Sequence, residues 1–301
     1  MSFDAKPIIL GMMPRQRALE VLCLDDPGAK AAAARALFAT LSNDAIDADA
    51  VLVAPATLPG RPLRPRLVPA KAVPTRSPFT PGGRAALLHA IAHIEFNAIN
   101  LALDAVWRFA GMPRAYYRDW LRVASEEALH FGLLREHLAT LGHDYGDFDV
   151  HDGLWTMAER TAGDVIARMA LVPRTLEARG LDATPPLQDK FARAGDARAV
   201  EILDVILRDE VGHVAIGNHW YRWLCARHGL DPDAHDAALV QRYAAPRLRA
   251  PFNLEARRAA GFTEAEISRL DGAAPRSAVA HQSPEDPTDA ADATAPRRSS
   301  A

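Results

Sequence analysis

Cysteine is scarce in this sequence. Cys23 and Cys225 are the two in 301 residues, far apart and in no C-x-x-C pair, which excludes a disulfide framework and a cysteine-built zinc site. Long apolar runs are also missing, and none is read as reaching the roughly 20 residues of a membrane span. The start, Met1-Ser2-Phe3-Asp4-Ala5-Lys6, carries an acid early and precedes only a short apolar patch, Pro7 to Met13. No signal peptide is read there, and the cytoplasm is the expected compartment. Acid is absent between Asp49 and Glu95, where Arg61, Arg64, Arg66, Lys71, Arg76 and Arg84 supply the only charges. Aromatic residues are absent from the same stretch except Phe79, a poor endowment for stacking on single-stranded bases. The net charge of −3 argues against wholesale nucleic-acid binding.

What is present divides the chain into regions. Residues 14–41 read as helical, broken at Asp25-Asp26-Pro27-Gly28. From Val51 to Gly83, eight prolines forbid a long helix and favour an extended arm. Arg84 to Ala110 repeats apolar residues at helical period, and Gly111-Met112-Pro113 ends it. Tyr116 to Leu141 is a second helix, and residues 143–153 form a loop long enough for a crossover. Leu154 to Arg179 reads as a third helix, interrupted near Gly163, disturbed by Pro173 and closed by Gly180 and Pro185-Pro186. A short helix follows, and Asp196 then caps a long one from Ala197 to Arg227. The expected organisation is therefore N-terminal helices and a Pro-rich basic arm over 1–83 and a helical bundle over 84–230. One or two small C-terminal helices over 231–270 should pack on the bundle. Residues 271–301, poor in bulky apolar side chains, read as a disordered tail.

Chemistry concentrates in two copies of E-x-x-H: Glu127-Ala-Leu-His130 and Glu210-Val-Gly-His213. Residues three apart on a helix share a face, so each pair projects a carboxylate and an imidazole together. Apolar neighbours surround both pairs, namely Ala124, Ala128 and Phe131, and Leu207, Val211 and Val214. Buried Glu and His are costly unless paired or metal-bound. Glu95 joins the first pair by arithmetic, since the midpoint between residues 95 and 127 is 111, where the turn falls. The pattern matches a four-helix dinuclear carboxylate site, with a Glu from two helices and E-x-x-H from the other two. On the third helix Glu159, Asp164 and Glu177 compete by spacing alone. The donor set suits two iron ions, with manganese the other candidate.

Several runs carry a resemblance. His89-Ala-Ile-Ala-His-Ile-Glu95, Asp119-Trp-Leu-Arg-Val-Ala-Ser-Glu-Glu-Ala-Leu-His-Phe131, His151-Asp-Gly-Leu-Trp155, Leu176-Glu-Ala-Arg-Gly-Leu-Asp182 and Asp209-Glu-Val-Gly-His-Val-Ala-Ile-Gly217 resemble a bacterial ferritin-like family, domain of unknown function 455. The match runs to about residue 262. The order Glu, E-x-x-H, Glu, E-x-x-H is also similar to the ferritin-like di-iron tRNA hydroxylase. That likeness implies an all-α, ferritin-like four-helix bundle and favours Glu177 as the third-helix ligand. The expected metal set is then Glu95, Glu127, His130, Glu177, Glu210 and His213. The expected function is an O2-activating oxidase or oxygenase; the alternatives are a ferroxidase or metal-handling protein and a metal-free helical scaffold.

Other residues have weaker cases. Asp209 and Glu126 could each hold a ligating histidine by a hydrogen bond or form exposed ion pairs. His89 and His93 read as core or hydrogen-bonding histidines, and Trp107, Trp120, Trp155, Tyr116 and Tyr117 as packing. The basic arm reads first as a strap whose arginines pair with acids elsewhere, and second as a groove for an anionic or RNA substrate. A small-molecule or RNA substrate and an electron donor are the partners implied, with no membrane.

Overall fold

The computed structural model describes residues 13–42, 46–54 and 57–272. The chain folds as an all-α bundle. Among the described residues no strand forms, and one isolated bridge joins Leu67 to Val150. Helices α1 (Pro14–Leu22) and α2 (Pro27–Ala39) flank the break expected at Asp25–Gly28. Proline at the first turn starts both, and the Asp26 side chain accepts from Ala29 N at 2.7 Å.

Two long helices make the first half of the bundle, α3 (Pro81–Arg108) and α4 (Arg114–Thr140). They are joined by the expected turn, where Gly111 takes φ +75°, a left-handed conformation that glycine adopts without strain. By length and composition α3 could cross a membrane, contrary to the reading of the sequence. However, 78% of its most apolar stretch is buried inside the protein, so it serves as the core helix. Arg15, fully buried, donates to the carbonyls of Val106 and Trp107 at its end, which holds α1 against it.

The third helix departs most from the sequence reading. It is built from α5 (Gly153–Arg160), α6 (Val165–Leu171), a π-helical turn Val172–Glu177, and α7 (Ala178–Arg193). The break near Gly163 is present, and Asp164 caps α6 by accepting from Ala167 N. α7 does not stop at Gly180 or at Pro185-Pro186 but runs through them. Burial of Ala178, Leu181, Thr184 and Phe191, with α7 packed on α8, outweighs the two missing N–H donors. The π turn contains Pro173, which lacks the donor a regular turn would need. Helix α8 (Ala197–Arg227) lies over that turn so closely that a Cβ on Gly217 would sit 2.5 Å from Pro173 Cβ.

Three small C-terminal helices follow, where one or two were expected: α9 (Pro232–Arg242), α10 (Leu254–Ala259) and α11 (Glu264–Gly272). Buried arginines tie them down. Arg174 reaches Asp236 and Glu266, and Arg257 grips Asp182. Asp271 and Gly272 complete α11, and the tail expected over 273–301 lies outside the described residues. The arm between α2 and α3 is strapped to the bundle. Lys30, fully buried, donates to Gly60 O and Asn100 Oδ1, each at 2.7 Å. Arg61 pairs with Asp152 and Arg66 with Asp149. These contacts match the strap reading of the basic stretch.

Candidate metal centre

α4 and α8 pack together and bring the two E-x-x-H pairs face to face, with imidazole centroids 5.9 Å apart. Glu127 stands between the rings. Its Oε2 is 3.4 Å from His130 Nδ1 and its Oε1 is 3.0 Å from His213 Nδ1. Glu95 Oε2 lies 3.0 Å from His130 Nδ1 on one flank, and Glu210 Oε1 lies 3.7 Å from His213 Nδ1 on the other. All five side chains are buried. Two triads result, Glu95–Glu127–His130 and Glu127–Glu210–His213. Within each, one ligand atom per residue lies within 4.8 Å of the others, a spacing that could hold a metal ion.

Glu177 approaches from the third helix at the end of the π turn. Its residue is half-buried, yet its Oε2 is enclosed without a hydrogen-bond partner. The charges of Glu210 and Glu127 act on it, which places it beside the second triad. Its two rivals sit elsewhere. Glu159 accepts from Trp155 Nε1 at 2.9 Å, and Asp164 is occupied as the cap of α6.

The far side of each imidazole is held from the opposite helix. Asp209 on α8 faces His130 Nε2 at 3.1 Å, and Glu126 on α4 faces His213 Nε2 at 2.7 Å. Each outer carboxylate immediately precedes the Glu of its own E-x-x-H and serves the histidine of the other. The signal was therefore legible as a repeated acid-Glu-x-x-His pattern, although only packing could show that it crosses between helices.

Electrostatics sharpen the arrangement. Burial, then the Glu127 charge, pushes the Glu95 and Glu210 carboxyls up. Burial, then Glu210 and Glu127, does the same to Glu177. Burial also opposes ionisation of Glu127, but His130 and His213 overcome it and hold this carboxyl well below the usual range. Both imidazoles are raised: burial opposes their charge, while Asp209, Glu127 and Glu95 favour it at His130, and Glu126, Glu127 and Glu210 at His213.

A neutral imidazole donating Nε2–H to its outer carboxylate turns the Nδ1 lone pair toward other carboxylate oxygens. That contact is repulsive unless a proton or another cation lies between. Even with both rings protonated, four glutamates (95, 127, 177 and 210) against two imidazoliums leave two negative charges in the core. Glu177 Oε2, Glu210 Oε2 and His213 Nδ1 also lack hydrogen-bond partners. Buried oxygen and nitrogen donors with surplus charge and unused lone pairs fit hard or borderline divalent cations.

His89 and His93 stay outside this cluster as hydrogen-bonding histidines. His89 Nε2 accepts from Gly146 N, and His93 contacts Tyr145 Oη, Asn97 and His151 O. Burial lowers them to about 4 and about 3, so both are neutral near pH 7. Trp107, Trp120, Trp155, Tyr116 and Tyr117 are buried among apolar neighbours, as expected of packing residues.

Residues 23–268 match the sequence profile of a family described as "Protein of unknown function (DUF455)". The chain is 56% identical over 213 residues to an "Uncharacterized protein" of Haemophilus influenzae, covering 68% of this chain and 74% of that protein. No solved structure matches.

Proposed function

The chain belongs to the DUF455 family, and from that premise we propose that it is a ferritin-like dinuclear metal protein, an O2-activating oxidase or oxygenase acting on an organic substrate. One observation carries the reading: Glu127 lies between two imidazole nitrogens whose other sides are already held by carboxylates. Such a carboxylate is placed to bridge two cations, one beside Glu95 and His130, the other beside Glu210 and His213. Glu177 would complete the second position. Four carboxylates and two neutral imidazoles neutralise two ferrous ions, and manganese suits the same donors. When bound, two such ions supply electrons for dioxygen and open positions at which it can be reduced.

The residues of the chain do the rest. Asp209 and Glu126 fix the imidazole tautomers so that Nδ1 is the ligating nitrogen. The apolar wall of Ala178, Leu181 and Val214, backed by Phe262, keeps bulk water from one side of the cluster. A second reading, ferroxidase or metal handling, would use the same ligands without an organic substrate.

Metal analysis of the purified protein tests the proposal. About two metals per chain are expected, and Glu127→Ala or His130→Ala should abolish loading. Full occupancy in both folded variants would sink the assignment. Oxygen consumption that releases ferric ion without any organic acceptor would favour the second reading.

A further inference from the structure

We propose that the seam between α3 and α7 is the port through which an organic substrate reaches the carboxylate cluster, and that this substrate is an alkyl chain ending in a carboxylate. The proposal deepens the oxidase reading above and rests on it. In the bundle α3 packs on α4, α4 on α8 and α8 on α7, whereas α3 and α7 do not close on each other. Both ends of their seam are sealed. Arg84 on α3 donates to Ala194 O just beyond α7 at 2.8 Å, and α5 packs on α3 near His93, whose ring contacts His151 O.

Between those ends two stripes are uncovered. On α3, Leu87 is half-buried, Ala90 is exposed and Ile94 is 50% exposed, although every residue from Glu95 to Trp107 is buried. The spacing of three and four places them on one face. On α7 the same spacing aligns Gly180, Ala183, Leu187 and Lys190, all half-buried or exposed. The inner end of that stripe touches the site, since a Cβ on Gly180 would lie 3.9 Å from the Glu210 carboxyl carbon. Glu177, half-buried with a free oxygen, stands at the same end.

The outer end differs in chemistry. Phe79 is 59% exposed beneath the Arg193 guanidinium, 6.0 Å from its ring centroid. Among the described residues Arg193 and Lys190 form no ion pair with a carboxylate. The stripes between are alkyl and glycine surface, which offers nothing to a hydroxylated or charged chain and about 25 cal/mol per Å2 to an apolar one. From Arg84 to Glu95 is eleven residues, roughly 16 Å along a helix, the scale of a medium-length fatty chain. A carboxylate held at Arg193 and Lys190 would thus place the far end of its chain beside Glu95 and Glu177. One aromatic ring in the seam is too few for nucleobase stacking, which disfavours an RNA occupant.

Calorimetric titration of the purified protein with dodecanoate tests this, with dodecylammonium as the charge-reversed probe and metal content measured on each sample. Saturable binding of dodecanoate is expected, with dodecylammonium weaker by about tenfold or more. Ala183→Trp, at an exposed position, should abolish binding, and Arg193→Glu should weaken it by about tenfold; both should keep the metal content of the parent. Absence of dodecanoate binding in the metal-loaded parent, or binding that Ala183→Trp leaves unchanged, overturns the port while the metal reading stands. Binding sensitive to Ala183→Trp in a protein that never takes up metal supports the groove and rejects the metal reading instead.

Discussion

Replacing Asp209 by Asn removes one charge and keeps the shape. In the native chain His130 Nε2 meets Asp209 Oδ2 at 3.1 Å, and Arg208 flanks the same carboxylate at 2.9 Å. The hydrogen bond from His130, opposed by partial burial and helped by Arg208, holds the Asp209 carboxyl well below its usual range. The carboxylate therefore favours electron density on the imidazole and orients its Nδ1 toward Glu95 and Glu127. Losing an outer partner of this kind typically weakens metal affinity by about 10–100-fold, or about 1.4–2.7 kcal/mol. The structure adds directionality. Asp209→Asn should weaken the position formed by Glu95, Glu127 and His130. Glu126→Gln, which acts on His213 at 2.7 Å, should weaken the one formed with Glu210. Anaerobic titration with ferrous ion or Mn(II) would resolve one weakened step and one near-native step in each single variant. The double variant should weaken both, and any departure from additivity measures coupling through the shared Glu127. Two steps unchanged in both variants would refute the crossed support and leave these acids as surface ion pairs.

Buried neutral histidine makes the fold acid-sensitive. The folded-state value of His89 is lowered to about 4, by burial first, against about 6.5 for an unfolded chain. Its contribution is complete above pH 6.5 and is lost as pH falls toward 4, the unfolded chain binding the extra proton in that window. At about 1.4 kcal/mol per unit the loss is on the order of a few kcal/mol, and His89→Gln should flatten urea midpoints between pH 7 and 5; equal slopes would contradict it. Gly217→Ala places a Cβ 2.5 Å from Pro173, and such overpacking costs about 1–3 kcal/mol. Because Pro173 begins the turn that ends at Glu177, metal content should fall with stability, and a variant with native melting temperature and full loading would show that the helices yield there.

Much of this protein was legible locally. A carboxylate and an imidazole three residues apart share a helix face in any fold, so the two E-x-x-H pairs needed only helix geometry. The Gly111 turn set Glu95 level with Glu127, because two antiparallel helices keep register from their joint. The breaks at Asp25 and Gly163 and the cap at Asp196 followed from proline, glycine and short polar side chains that satisfy the free N–H groups of a first turn. The third helix was misread where burial overrode those rules: α7 passes through two prolines because its apolar face is covered by α8.

Tertiary structure decided what depends on the rotation of one helix against another. A regular helix carries each residue by about 100°, and the extra residue accommodated in the turn Val172–Glu177 changes which of Glu159, Asp164 and Glu177 faces the cluster. The crossing of Asp209 to His130 and of Glu126 to His213, the arginines of the strap committed to Asp149 and Asp152, and the open seam beside Ile94 belong to packing alone. Sequence by itself determined the donors and their pairing along each helix, since those are fixed by backbone geometry within a turn. Only the fold decided which donors meet, because azimuth between helices is set by the side chains that pack between them.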